Sequence, residues 1–457
     1  MFKTESYKKG ILFSSGFNVV AKGLAFLQQL LIAYYFGAQD KTDIFFFTYN
    51  IILFSSSFFM NFTSSILIPE NMRLRIQVGE TVSMKFMNFF IWGYGIIGIL
   101  VYGIFSIHPV YFFHLISSFD KIQIENSINI IRWCLPIFTL NFVTYILTDL
   151  LVSYKYFTMP MMANTINYTL GLLFIYFFHS QVGVSSVAQG LLIGYIINVI
   201  FLLYILRKKI KWNFFIFDIY HLKSISQNSF FSQVGYCVYL LALYIPQYIF
   251  SGFPPGVLSA INYAQKTVDI PAAFLVNQVV NVSGIKFNEL CSLKESNKLQ
   301  ALYWKVFLFT VSVFLLLSLF LSSFSETIIS ILFKGGTLKH GIFDITVNMT
   351  KLLALYIPYA LMYALFIKLF YAFQKVKYIF YVQAVTQILS IGVLFLLINK
   401  IGVSAYPFSR ILPYMIVVNI FMVLIKKVDP IFPVKGGIFF INLINVIIIL
   451  FLSCRVV

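Results

Sequence analysis

Residues 183–209 read GVSSVAQGLLIGYIINVIFLLYILRKK, and residues 402–427 read GVSAYPFSRILPYMIVVNIFMVLIKK. Each opens on Gly-Val-Ser, has a tyrosine in mid-run (Tyr195 and Tyr414) and ends in a basic pair (Arg207-Lys208 and Lys426-Lys427). All three features share one common offset, from Gly183 to Gly402, from Tyr195 to Tyr414 and from Arg207 to Lys426. Each run is apolar over about 20 residues, enough for a helix to cross a ~30 Å hydrocarbon layer. A short basic turn recurs near the same offset, around Lys155 and again around Lys375. Matches in register over helices 4 to 6 and 10 to 12 indicate a duplicated unit of six helices. Six crossings return the chain to its starting side, so both copies enter the membrane in the same orientation and form parallel repeats. The predicted fold is therefore an all-α polytopic membrane protein, with two six-helix lobes (residues 1–210 and 211–428) around a central cavity and one extra C-terminal helix (429–457).

Working outward, apolar runs follow one another almost without pause. With 60% hydrophobic and only 11% charged residues in 457, a soluble surface is excluded. Thirteen helices are expected, at residues 11–36, 42–68, 84–107, 127–153, 160–179, 184–206, 229–250, 257–285, 303–325, 344–373, 378–398, 402–425 and 436–453. The first run is too long for a signal-peptide core and reads as a permanent helix. The formal charge of +18 resembles a nucleic-acid signature until it is mapped. Twenty-one Lys and Arg fall at one face and six at the other, an asymmetry that places the N-terminus in the cytoplasm. The charge is thus topological; no nucleic-acid partner is implied, and the cytoplasmic loop Arg207 to Lys223 would contact anionic membrane lipids.

Six cations remain within helices: Lys22, Arg132, Lys266, Lys351, Lys368 and Arg410. The intramembrane acids are Asp43, Asp149 and Asp269. A charge at mid-bilayer costs at least about 2.5 kcal/mol, so it normally faces a bundle interior or an aqueous cavity. Arg132, Lys351 and Lys368 lie near helix ends, where long side chains snorkel. Lys22 is about 16 Å into the first helix, too deep for easy escape. Lys266 is at depth in helix 8, with Asp269 three residues on along the same face. Arg410 sits between Pro407 and Pro413 and reads equally as a cavity or a hinge residue. Asp149 reads either as part of an ion site or as a turn cap. A cavity whose deep charges are positive suits an anionic substrate such as a diphosphate. No phosphate loop, nucleophile elbow or metal-helix motif is present, and the four cysteines lack CxxC spacing. No enzymatic activity, metal or cofactor is expected.

The stretch LAFLQQLLIAYYFGAQDKTDIFFFTYNI (residues 24–51) resembles the first two helices of the MurJ/MviN lipid II flippase family of the MOP exporter superfamily, through Phe36-Gly37-Ala38 and Thr42-Asp43-Ile44-Phe45-Phe46. NYAQKTVDIPAAF (262–274) is similar to the family's helix 8 pattern, with Lys266 where the family has Arg and Asp269 where it has Glu. The turns at Tyr154-Lys155-Tyr156-Phe157 and Phe333-Lys334-Gly335-Gly336 also fit. The sequence departs from the family where Gln28-Gln29 replaces an Arg-Asp pair, where Ser55, Ser56 and Ser57 replace a paired Arg, at Asn61 where an acid is usual, and in having thirteen helices rather than fourteen.

The resemblance implies a flippase that moves an undecaprenyl-diphosphate-linked saccharide, either lipid II or a related surface-polysaccharide unit, to the outer leaflet of the bacterial cytoplasmic (inner) membrane by alternating access. Its partner would be a polyprenyl-diphosphate-linked glycan lipid. Lys22 and Lys266 would hold the diphosphate; Gln28, Gln29 and Asn61 would meet sugar hydroxyls; Asp43, Asp269 and Arg410 would complete the site. The alternative is a MATE-like drug or cation antiporter of the same superfamily, which calls for deep carboxylates to dominate the cavity. Here Asp149 alone is a deep acid without a base near it in sequence.

Overall fold

A computed structural model describes residues 7–217, 227–333, 340–430 and 432–456. Part of the basic loop to Lys223 and most of the Phe333–Gly336 turn lie outside the described residues. Eighteen α-helices account for nearly all of the rest, and no strand occurs among the described residues.

The expected spans appear as α1 (Tyr7–Phe36), α2 (Asp40–Phe62) continued into α3 (Ile68–Gln77), α4 (Glu80–Ile107), α7 (Ile128–Ser153), α8 (Thr158–Val182) and α9 (Ser185–Ile205). They continue with α10 (Gln227–Ser251), α11 (Val257–Ser292), α12 (Ser296–Ser323), α14 (His340–Ala354) with α15 (Ile357–Ala372), α16 (Val376–Ile401), α17 (Ala405–Val428) and α18 (Lys435–Val456). Eleven segments among the described residues are long and apolar enough to cross a membrane. One of these, Lys377–Val428, contains both α16 and α17. With those two counted separately and the 36-residue α11 added, the structure has the thirteen long helical segments expected.

Three short helices were not anticipated: α5 (Pro109–Ile116), α6 (Lys121–Asn126) and α13 (Ser325–Phe333). Two long segments are also modified within their length. Between α2 and α3 the backbone passes through a π-helical turn, Thr63–Leu67. Between α14 and α15 it breaks at Leu355–Tyr356, just before Pro358, which sits in the first turn of α15, where its missing N–H costs no helix hydrogen bond.

The duplication is visible in the backbone. Residues with positive φ recur in pairs, Gly37 with Gly256, Lys155 with Gln374, and Gly183 with Gly402, and all three pairs keep the offset of the Gly-Val-Ser repeat. At Gly183 (φ 60°) and Gly402 (φ 57°) the preceding helix ends by turning left-handed, which a residue without Cβ does at least cost. The basic turn at Lys155 therefore aligns with Gln374, immediately before the Lys375 matched by composition. The short α5 and α13 also begin at nearly that offset, after the third helix of each copy.

By contacts the chain forms two units, one running to Ser259 and the other from Ala260 to the C-terminus. This contact boundary falls well beyond the repeat boundary at 210, because α10 packs along α2. Asn50 Nδ2 donates to Gln247 Oε1 (3.3 Å), and Tyr244 Oη donates to the Ile116 carbonyl at 2.7 Å.

In hydrocarbon, burying an apolar side chain gives little drive to associate, so helices need close backbone approach. In the first unit, α8 meets α9 where Asn167 lies over Gly194, and α4 meets α7 where Thr139 lies over Gly98. A Cβ at Gly98 would come within 2.7 Å of the Thr139 Cα. Around these contacts sits a core including Phe86, Phe142, Leu150, Met159, Leu202 and Trp212. In the second unit Tyr303, Phe307, Phe366 and Phe421 form an aromatic core from α12, α15 and α17.

The segment after α9 is clasped to α4. Trp212 Nε1 donates to Asn88 Oδ1 (2.8 Å), while Asn88 Nδ2 donates to the carbonyls of Asn213 (2.7 Å) and Ile216 (2.8 Å). Trp92 Nε1 donates to the Phe214 carbonyl at 2.9 Å.

Candidate functional site

In the second unit, α11 presents Gln265 and Asp269 one turn apart, and α17 presents Tyr406 and Arg410 at the same spacing. With Leu353 and Tyr356 from the α14–α15 break, these residues line a pocket of about 50 Å³. That volume holds a few waters at most and no sugar phosphate.

Arg410 Nη2 donates to the Tyr406 hydroxyl at 3.0 Å, and the guanidinium lies 5.4 Å from the Tyr406 ring centroid. Gln265 Nε2 also donates to that hydroxyl. Arg410 and Asp269 face the same pocket, yet among the described residues they do not close into a salt bridge. The pocket thus contains a permanent cation held by a ring and a hydroxyl, with an acid across a small gap.

The other expected site residues are distributed differently. Lys22 is half-buried on α1 in the first unit, and Lys266 is exposed on α11 in the second. Lys266 does not line the pocket formed by its neighbour Gln265, and among the described residues it makes no salt bridge with Asp269. Gln28 and Gln29 are buried. The Gln28 amide packs on Gly171 of α8, within 2.8 Å of where a Cβ would stand. Gln29 Nε2 is buried without a hydrogen-bond partner among the described residues. Asn61 is half-buried, and its carbonyl accepts from the Ser65 hydroxyl (2.5 Å) at the π-helical turn.

Asp43 of α2 meets the start of α11. It is buried, with Oδ2 accepting from the Gly256 N–H (2.6 Å) and Oδ1 from the Ser259 N–H (2.7 Å) and hydroxyl (2.5 Å). The two N–H groups lie at the start of α11, on the residue before it and in its first turn, at the positive end of the helix dipole. The carboxylate is an N-cap supplied by another helix, which accounts for its burial without a cation.

Of the remaining membrane charges, Arg132 is exposed, and the Lys368 stem lies across Gly284 of α11. Asp149 Oδ2 is buried without a hydrogen-bond partner among the described residues, so this atom caps no turn. No group of three His, Cys, Asp or Glu converges among the described residues. Sequence reasoning missed Gln265, Tyr356 and Tyr406; the one available signal was Tyr406, four residues before Arg410.

Long apolar helices in two packed units define a multi-pass α-helical membrane protein. The chain belongs to the MurJ family: the family model described as "Lipid II flippase MurJ" matches residues 32–457. A Borreliella burgdorferi protein named "Probable lipid II flippase MurJ" is 23% identical over 88% of this chain and 80% of its own length. A structure of "Lipid II flippase MurJ, inward closed conformation" superposes with a TM-score of 0.79 at 18% identity, covering 97% of this chain and 93% of that one. An inward-facing multidrug resistance MATE family transporter of the MOP superfamily gives 0.70 at 13% identity, covering 94% and 96%. At these identities the two structures share the fold with this chain.

Proposed function

We propose that this protein is a flippase that moves an undecaprenyl-diphosphate-linked saccharide, lipid II or a related surface-polysaccharide unit, from the cytoplasmic to the outer leaflet of the bacterial cytoplasmic membrane. The observation that carries this reading is the family match over residues 32–457. The MATE likeness is one of fold alone.

The chemistry of the chain is consistent with it. A diphosphate leaving water needs cations along its path, because charge is costly in low dielectric unless paired. Lys22 in the first unit and Lys266 with Arg410 in the second would supply them, Arg410 with a planar fork suited to phosphate and the lysines as point charges. The two lobes, residues 1–210 and 211–428, would alternate access while the helix in 429–457 stays appended to the second. The N-terminus would be cytoplasmic, with basic loops against anionic lipid headgroups.

The test is flux of a fluorescent polyprenyl-diphosphate sugar in proteoliposomes containing the Lys22→Ala/Lys266→Ala double variant. A fall of about tenfold or more is expected, and an unchanged rate overturns the diphosphate assignment. Complementation of a strain depleted of its lipid II flippase separates lipid II from a surface-polysaccharide unit.

A further inference from the structure

Of the three acids in the membrane helices, two have their surroundings explained. Asp43 accepts three hydrogen bonds at the start of α11, and Asp269 shares its pocket with Arg410. Asp149, on α7, is half-buried, and its Oδ2 is buried without a hydrogen-bond partner among the described residues. Nor does it enter a salt bridge among them. A bare carboxylate is costly inside a bilayer, whereas the acid form leaves only one O–H to place. Asp149 lies one turn, about 6 Å, before Ser153 at the end of α7, close enough to that end for a proton to come and go.

The groups around it are mostly hydroxyls. α7 packs against α2, the π-helical turn, α3, α4, α8 and α9. From α4 the Tyr94 hydroxyl comes within electrostatic range of Asp149, as does Tyr145, one turn earlier on α7 itself. Tyr168 of α8 and Tyr236 of α10 adjoin Tyr145, with Tyr195 of α9 and Tyr49 of α2 beyond them. The charges on α3 are engaged elsewhere. Arg75 donates to the Ser153 carbonyl (3.2 Å) and lies over the Tyr154 ring (4.1 Å), while Arg73 pairs with Glu70 (2.6 Å).

Tyr94 is buried, and its oxygen lies 3.0 Å from Thr63 Oγ1 and 3.4 Å from the Phe59 carbonyl, where α2 enters its π-helical turn. Thr63 has a single hydroxyl proton, which it donates to the Phe59 carbonyl (2.8 Å). Tyr94 is therefore the donor in the 3.0 Å contact, and one phenolic proton ties α4 to the turn. Single π-turns of this kind recur at functional sites. An ionised carboxylate would compete for that proton, because charge-assisted hydrogen bonds are roughly twice as strong as neutral ones.

We propose that Asp149 is a proton-binding site which, on releasing its proton to water at the end of α7, draws the Tyr94 hydroxyl from Thr63 to the new carboxylate. The Asp149 O–H bond breaks and its proton leaves with water; the Tyr94 proton stays on its own oxygen and changes acceptor. Proton binding fastens α4 to the turn of α2, and proton release unfastens it, whatever the protein carries.

The experiment uses the full chain in phosphatidylethanolamine/phosphatidylglycerol nanodiscs. Infrared spectra at about pH 7, where an ordinary aspartate is ionised, should contain carboxylic-acid carbonyl intensity that Asp149→Asn removes. Asp344→Asn, at an exposed position of α14, should leave it in place. Hydrogen–deuterium exchange of residues 59–68, corrected for the intrinsic effect of pH, should speed up about tenfold as that band is titrated away in the unaltered chain. Exchange should stay slow at every pH in Asp149→Asn and fast in Tyr94→Phe. Asp149→Glu should restore both the band and the response to pH. If Asp149→Asn leaves the spectrum unchanged, Asp149 holds no proton. If the band is lost but exchange at residues 59–68 ignores pH, or follows it equally in Asp149→Asn, Tyr94 does not change acceptor. Either result overturns the proposal without touching the flippase reading. Monodisperse gel filtration of each variant separates these outcomes from misfolding.

Discussion

Asp43 gives the sharpest test of how this structure assigns its buried charges. Replacing it by alanine removes three hydrogen bonds of 2.5–2.7 Å, two of them to backbone N–H groups at the start of α11. Hydrogen bonds to a charged group contribute about 1.5–3 kcal/mol each, but the three share one carboxylate and two end on Ser259, so they do not add fully. The N–H groups left behind are buried where water is scarce, which adds to the loss. Together these place the local cost of D43A at about 3–5 kcal/mol, the range for orphaning a buried partner. D43N keeps one acceptor oxygen and should cost about half as much. The readout is hydrogen–deuterium exchange of peptides covering residues 252–262 in nanodiscs. A local loss of about 3 kcal/mol speeds exchange about a hundredfold in D43A, with D43N intermediate. If exchange in that turn is unchanged in both variants while export is lost, the carboxylate acts on substrate and the capping argument is wrong.

Three further outcomes follow from the packing. Gly194→Val should destabilise the first unit by about 1–3 kcal/mol in thermal unfolding, because a Cβ there would overlap the Asn167 side chain; Asn167→Ala in the same chain should recover part of it, and no recovery would remove that contact as the cause. Asn88→Ala should raise exchange of residues 212–217 about tenfold by releasing the clasp on the Asn213 and Ile216 carbonyls, with exchange in α12 as the unchanged reference. Arg410→Lys and Tyr406→Phe should each lower stability by about 1 kcal/mol, and the double variant should be no worse than either alone; simple additivity would show that the pair does not act as a unit.

Much of the fold was legible because membrane spans announce themselves by length. Thirteen apolar runs became thirteen long helical segments, and the Gly-Val-Ser repeat reappeared as left-handed glycines at Gly183 and Gly402. Helices α5 and α13, of eight and nine residues, were invisible because neither reaches spanning length. The candidate site was read less well. An isolated carboxylate such as Asp43 looks alike in a cavity or at a helix end, and its partners Gly256 and Ser259 are remote from it in sequence. Gln28 likewise reveals its packing on Gly171 only once α1 meets α8. Arg410 was found because charge in a membrane helix is costly. Gln265 and Tyr356 were not, because uncharged polar residues occur throughout these helices and only the approach of α11 to α17 selects them.

The π-helical turn at Thr63–Leu67 has a consequence for the history and engineering of the chain. Such a turn is one residue absorbed into a helix without a loop. Deleting a single residue there should restore an unbroken α-helix while α2 and α3 keep the faces they now present, whereas the same deletion at Ile52 would turn everything downstream by about 100°. The turn is thus a frame-tolerant point, where the lineage could gain or lose a residue between the Asp43 cap and the Arg73–Arg75 end of the helix without re-aiming either.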